Sequence, residues 1–216
     1  MSSVFAALGA VLYGVADFAG GVGARKISPW RVTAWSQLLG IPLLVVGLFA
    51  LGWDSVSVSD LAYGAAAGAF GFVGIVALYG ALAAGSMSIV SPLTGALTAL
   101  IPVLWGLAKG EEVVARQWFG IALAIVAITL VAWDHAHAKL TVAVAARALV
   151  ASIGFAGFFI LLSYTAEDAG QWPLIAGRSV SLLLGFGVLV ALRQLAFPPR
   201  DALPAVLVAG NGDVAA

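Results

Sequence analysis

The sequence predicts an all-α membrane protein, a bundle of seven transmembrane helices plus a partial eighth. Three observations carry this. The 216 residues are 62% hydrophobic and only 9% charged, with a mean hydropathy of +1.09, whereas soluble domains carry about 25% charged residues. No soluble core of this size hides so much apolar surface, so lipid must face much of it. The charged residues fall almost entirely into short gaps between apolar runs of about 20 residues, the length that crosses a hydrocarbon core at a rise of 1.5 Å per helical residue. Asp17 is the clearest exception, because it lies well inside the first run.

The first run covers 4–23 and closes at Arg25-Lys26, with Ser28-Pro29 as the turn. Met1, Ser2 and Ser3 supply no Lys or Arg and no A-x-A-like cleavage pattern follows, so this reads as a membrane helix and not a cleaved signal peptide. A second run, 32–52, ends at Gly52-Trp53-Asp54. The third, 61–84, repeats Gly64, Gly68, Gly71 and Gly74 at spacings of three and four, which puts them on one face where another helix backbone can approach closely. Ala84-Gly85-Ser86 turns directly into the fourth, 88–108, so these two are expected to form a tight hairpin. Lys109 to Glu112 ends it, and Arg116 and Gln117 lead into the fifth, 118–133. After the polar stretch Asp134–Lys139 come the sixth, 142–164, and the seventh, 173–192. The last begins near Leu203 and leaves about fourteen residues, too few to span, so the chain is expected to be a fragment of a longer protein.

An internal repeat underlies this order. Shifted by 140 residues, Gly14-Val15-Ala16-Asp17-Phe18 meets Gly154-Phe155-Ala156-Gly157-Phe158; shifted by 142, Leu61–Gly68 meets Leu203–Gly210. If the unit is five spans, an odd number, the second copy is inverted in the membrane, a recurring transporter architecture with its site near the midplane. The domains are accordingly expected at 1–138, a first five-helix repeat, and 139–216, an incomplete second one.

The stretch from Tyr79-Gly80-Ala81-Leu82 through Ser91-Pro92, Pro102, Gly110-Glu111 and Gln117-Trp118-Phe119-Gly120 resembles the second half of an EamA-type domain of the drug/metabolite transporter superfamily. Leu12-Tyr13-Gly14-Val15-Ala16-Asp17-Phe18 is similar to the family's first helix. The resemblance implies ten spans in two inverted five-helix halves (5+5) that export a small metabolite or drug by alternating access, in the plasma (inner) membrane of a prokaryote. It implies no cofactor and no enzymatic activity. The partners it implies are lipid and a small-molecule substrate, with protons and a homodimer as further expectations. The competing reading is a membrane-embedded enzyme or a non-transporting structural subunit. An enzyme should gather several convergent polar residues at one depth, whereas here they are scattered.

Among candidate site residues, Asp17 leads: a carboxylate in a span is costly unless neutralised, paired or hydrated, so it marks a cavity or a proton site, or else a structural acid bonded to a neighbouring helix. The small multidrug pumps of the same superfamily carry a first-helix carboxylate in a proton-exchanging role. Arg178, which resembles an arginine of the family's second helix, is suited to bind an anionic group or pair with Asp213 or Asp17; the alternative is an interfacial anchor whose head reaches the headgroups. Tyr13, Trp35, Gln37, Tyr79, Thr94 and Thr98 supply polar or aromatic surface within spans, although packing and hydrogen bonds to the helix's own carbonyls explain such residues equally well. His135 and His137 lack further ligands nearby in sequence, so no metal site is assigned. No phosphate-binding loop or catalytic serine motif occurs, and a net charge of zero offers nothing to nucleic acid. Lysine and arginine in alternate loops divide seven to three in favour of an outside N-terminus. The resemblance implies the opposite orientation, and the question stays open at this level.

Overall fold

The computed structural model describes residues 2–52, 55–85, 87–111, 118–123, 126 and 141–215. Seven helices of more than ten residues are described: α1 Ser2–Ala24, α2 Pro29–Leu51, α3 Val58–Ala84, α4 Met87–Ala108, α5 Val142–Leu162, α6 Trp172–Ala191 and α7 Leu203–Ala215. The predicted sixth, seventh and eighth runs are therefore α5, α6 and α7. Residues 118–123, which open the predicted fifth run, are helical, and the rest of that run, with His135 and His137, lies almost wholly outside the described residues. Six helices, α1 to α6, are long and apolar enough to cross a membrane, and α7, with 13 residues, is not.

Local chemistry sets the helix starts. Ser28 accepts from the Arg31 amide ahead of Pro29, and Thr141 accepts from the Val144 amide at the start of α5. Ser57 and Asp60 form a reciprocal capping box at the start of α3. Each cap satisfies an amide that has no partner inside its helix, which is worth about 1 kcal/mol.

The centre of the bundle is α3. Its four-glycine face does admit neighbouring helices: Gly64 and Gly68 lie against Pro173 and Gly177 of α6, and Gly71 and Gly74 against Phe158 and Phe155 of α5. Ascending pairs with α6 and descending pairs with α5 mean that α3 runs parallel to α6 and antiparallel to α5. The expected hairpin of α3 with α4 is tight in sequence but not in packing, because α4 leans mainly on α5. The small-residue face decides this. It lets α5 and α6 reach the α3 backbone, and it draws Ser181 Oγ to within 2.7 Å of the Gly68 carbonyl, to which it donates.

The short α7 sits between α1 and α2. Gly210 meets the Ser36 carbonyl and Gly40 meets Val214, so α7 is parallel to α2; Gly212 meets Ala16 and Gly23 meets Ala205, so it is antiparallel to α1.

Most of the described basic side chains gather at one end of the bundle. There Arg25 donates to the Leu82 and Gly85 carbonyls, Arg31 to those of Ala196 and Phe197, Arg147 to that of Gly80 and Lys26 to that of Asp201. These side chains satisfy carbonyls where helices end or the chain is irregular. At the other end Asp60 accepts from the Ala166 amide at 2.9 Å and Ser55 donates to Asp168 at 2.6 Å, tying the α2–α3 connection to the α5–α6 connection.

Candidate functional site

Inside the bundle lies a cavity of about 410 Å³, within the size range of small-molecule sites. All of α1, α2, α3, α5, α6 and α7 contribute to it, and its depth follows from where they do so. Tyr13 is the midpoint of α1 and Gly71 that of α3, and both line it. From this middle layer the lining runs to Leu162 and Gln171, at the end carrying Asp60 and Asp168. No described lining residue comes from the two helical turns nearest the basic end. That end is closed by Ser28 Oγ, 2.5 Å from Gln194 Oε1, and by Arg31 holding the chain at Ala196 and Phe197. The described lining therefore reaches toward the Asp60 end and not toward the basic one.

Phe155, Phe158 and Phe159 of α5 form an apolar wall. Facing the same space are Arg178 of α6 and Asp213 of α7, joined by an ion pair of 2.8 Å from Nη2 to Oδ2, with side chains 13% and 28% exposed. Gln37 also lines the cavity, and the residue is 3% exposed. Tyr13 brings its phenol to the same surface.

The sequence-based candidates separate on this geometry. Tyr13, Gln37 and Arg178 come together at the cavity. Asp17 lies one turn beyond Tyr13 on α1, half-buried, and is not among the lining residues. It makes no hydrogen bond or ion pair among the described residues, yet it acts electrostatically on Asp213, Tyr13 and Tyr79. Tyr79 is buried with its ring against Gly20, away from the cavity. Trp35 packs edge-on against Phe186 and Phe197, with ring centroids 5.3 and 4.9 Å away. The hydroxyls of Thr94 and Thr98 are buried on α4 without a partner among the described residues, and neither residue lines the cavity. Arg178 pairs with Asp213, one of the two partners expected from the sequence.

Sequence reasoning named Asp213 only as a partner for Arg178 and did not single out the phenylalanine wall or Ser181. For α6 a signal existed: Gly177, Arg178 and Ser181 share a helix face by their spacing of three and four. For Asp213 there was none, because its segment is too short to show a periodic face.

The chain belongs to the EamA-like transporter family, whose model matches residues 1–133. Members of this family are transporters of the drug/metabolite type, not enzymes. No curated protein and no solved structure gives a significant match.

Proposed function

We propose that this protein is a secondary transporter that exports a small metabolite or drug by alternating access between two inverted halves, with Asp17 as an exchangeable proton site. The observation that carries this reading is the mid-depth cavity, walled by helices from both sequence repeats, whose lining reaches toward one end while hydrogen bonds tie the chain together at the other. Packing supports the inverted halves. Under the repeat, α1, α2 and α3 correspond to α5, α6 and α7. The pairs α3–α5 and α3–α6 then have counterparts in α7–α1 and α7–α2, antiparallel and parallel in the same order. Since α1 and α3 run parallel, each helix opposes its counterpart in direction.

Charge balance supports the proton site. Asp17, Asp213 and Arg178 form a local cluster with one more carboxylate than cation, and Arg178 is already taken by Asp213. In a low-dielectric interior that excess needs a positive charge, which a proton supplies. The gathering of basic side chains supports a cytoplasmic basic end, with the cavity facing the opposite side of a prokaryotic plasma membrane. A homodimer is compatible with this arrangement.

The test is solute flux into proteoliposomes under an imposed pH gradient. Asp17→Asn should abolish gradient-driven flux and leave downhill exchange measurable. Coupled flux equal to the parent's would remove Asp17 from the proton path, and absence of any flux by the parent across a broad solute panel would favour a non-transporting subunit.

A further inference from the structure

The chain leaves α6 through a turn that its residue does not favour. The Gln194 amide donates to the Leu189 carbonyl and the Arg193 amide to that of Val190, while Arg193 itself has a φ of 55°. This is the left-handed helix stop usually taken by glycine, because a Cβ there crowds the carbonyl that follows. Among the described non-glycine residues, Arg193 is the one with positive φ. A cation at the end of α6 does not require that strain, since any position of the last turn accepts one with ordinary helical backbone. The last turn of α6 holds no basic residue.

The segment after the turn is amphiphilic. Arg193 and Arg200 are exposed, and between them stand Leu195 at 48% and Phe197 at 52% exposure, next to Leu192 at 47%. Residues 194–199 form no regular structure, so their backbone cannot lie in hydrocarbon, where nothing would satisfy it. The interface suits both parts, with apolar side chains toward the acyl region and guanidinium groups among headgroups. The segment is held in place from within the bundle: Arg31 donates to the Ala196 and Phe197 carbonyls, and the Phe197 ring packs edge-on against Trp35.

The surroundings select the headgroup. Arg25, Lys26, Arg31 and Arg147 lie at the same end and hold backbone carbonyls there. Among the described residues the carboxylate at this end is Asp201, which faces Lys26 at 3.9 Å. A surplus of positive charge at headgroup depth attracts an anionic lipid over a zwitterionic one. We propose that residues 192–200 form a binding site for an anionic phospholipid, with Arg193 and Arg200 on its phosphate-bearing headgroup and Leu195 and Phe197 against its acyl chains. The site rests on the membrane-spanning fold and not on transport.

The experiment is native mass spectrometry of the full chain from detergent micelles, titrated with phosphatidylglycerol or with phosphatidylcholine of the same acyl chains. The parent should retain the anionic lipid roughly tenfold more tightly. Arg193→Gly with Arg200→Gln should bring the two lipids level, and Leu195→Ser should weaken retention of both alike. Arg193→Gly alone should raise the unfolding midpoint in lipid-free detergent, because glycine relieves the left-handed turn, and yet lower retention of phosphatidylglycerol. A purely structural arginine would not give those opposite signs. Equal retention of the two lipids by the parent, the parent's preference in the neutralised pair, or unchanged retention in Leu195→Ser overturns the proposal. So does displacement of phosphatidylglycerol by an equal concentration of glycerol phosphate, which would make this a site for a soluble phosphate. A lower midpoint for Arg193→Gly overturns it as well, by assigning the arginine to the helix end.

Discussion

Gly14 and Gly154 occupy equivalent places in the two repeats, and replacing each with alanine should have opposite effects. A Cβ on Gly154 would lie 2.6 Å from the Cα and N of Gly74 and 2.8 Å from the Phe70 carbonyl oxygen. Ordinary contact starts at 3.4 Å, so α5 and α3 would have to part by about 0.8 Å along this approach. The obstruction is backbone on both sides, so no rotamer change relieves it. Overpacking of this kind costs about 1–3 kcal/mol. A Cβ on Gly14 meets nothing within 4 Å. Both substitutions gain the same helix propensity, about 0.8–1 kcal/mol. The gain cancels in the comparison, leaving Gly154→Ala less stable than Gly14→Ala by about 1–3 kcal/mol, or roughly 5- to 150-fold in the folded ratio. Thermal unfolding of the two purified variants in one detergent, followed by loss of monodisperse protein, reads this difference. Equal midpoints, or a lower one for Gly14→Ala, would refute the claim that α5 packs on α3 through bare backbone.

Neutralising one member of the Arg178–Asp213 pair should destabilise the protein by about 1–3 kcal/mol, below the range for a fully buried pair because both side chains keep some exposure. The double variant Arg178→Gln with Asp213→Asn should recover part of that loss in a double-mutant cycle of unfolding midpoints. Replacing Asp60 with alanine removes the capping box and the bond to the Ala166 amide and should lower stability; amide exchange should rise first at the start of α3 and around Ala166. The chain contains no cysteine, so any introduced thiol is the sole target of a maleimide. With the basic end cytoplasmic, Ser163→Cys should react with an impermeant maleimide from outside intact cells and Arg193→Cys only after permeabilisation. The reverse pattern would invert the proposed orientation.

Much of the fold was legible because lipid leaves few options. A backbone in hydrocarbon must bond to itself, so a 20-residue apolar run can only be a helix, and the polar gaps mark its ends. The glycines of α3 were readable as a contact face because spacings of three and four report one side of a helix without reference to any partner. Which partner was not readable. Sequence adjacency pointed to α4, and the close backbone approach is instead with α5 and α6, because an approach needs small residues on both sides and Gly154 and Gly177 supply them.

The same division runs through the site. Asp17 stood out in the sequence because an acid in an apolar run is expensive wherever it points. Tyr13, Gln37 and Arg178 could be named as candidates, but so could Trp35, Tyr79, Thr94 and Thr98, since residue type and depth are alike for a side chain facing a cavity and one facing a neighbour. The sequence by itself determined that this chain spans a membrane, roughly where each helix begins and ends, and that one carboxylate lies within a span, because these follow from solvation of one segment at a time. Only the tertiary structure decided that Arg178 and Asp213, 35 positions apart on separate helices, meet as an ion pair at the wall of a cavity. That relation depends on how two helices are rotated and set against a third, and the contacts that fix the rotation are not written in either helix alone.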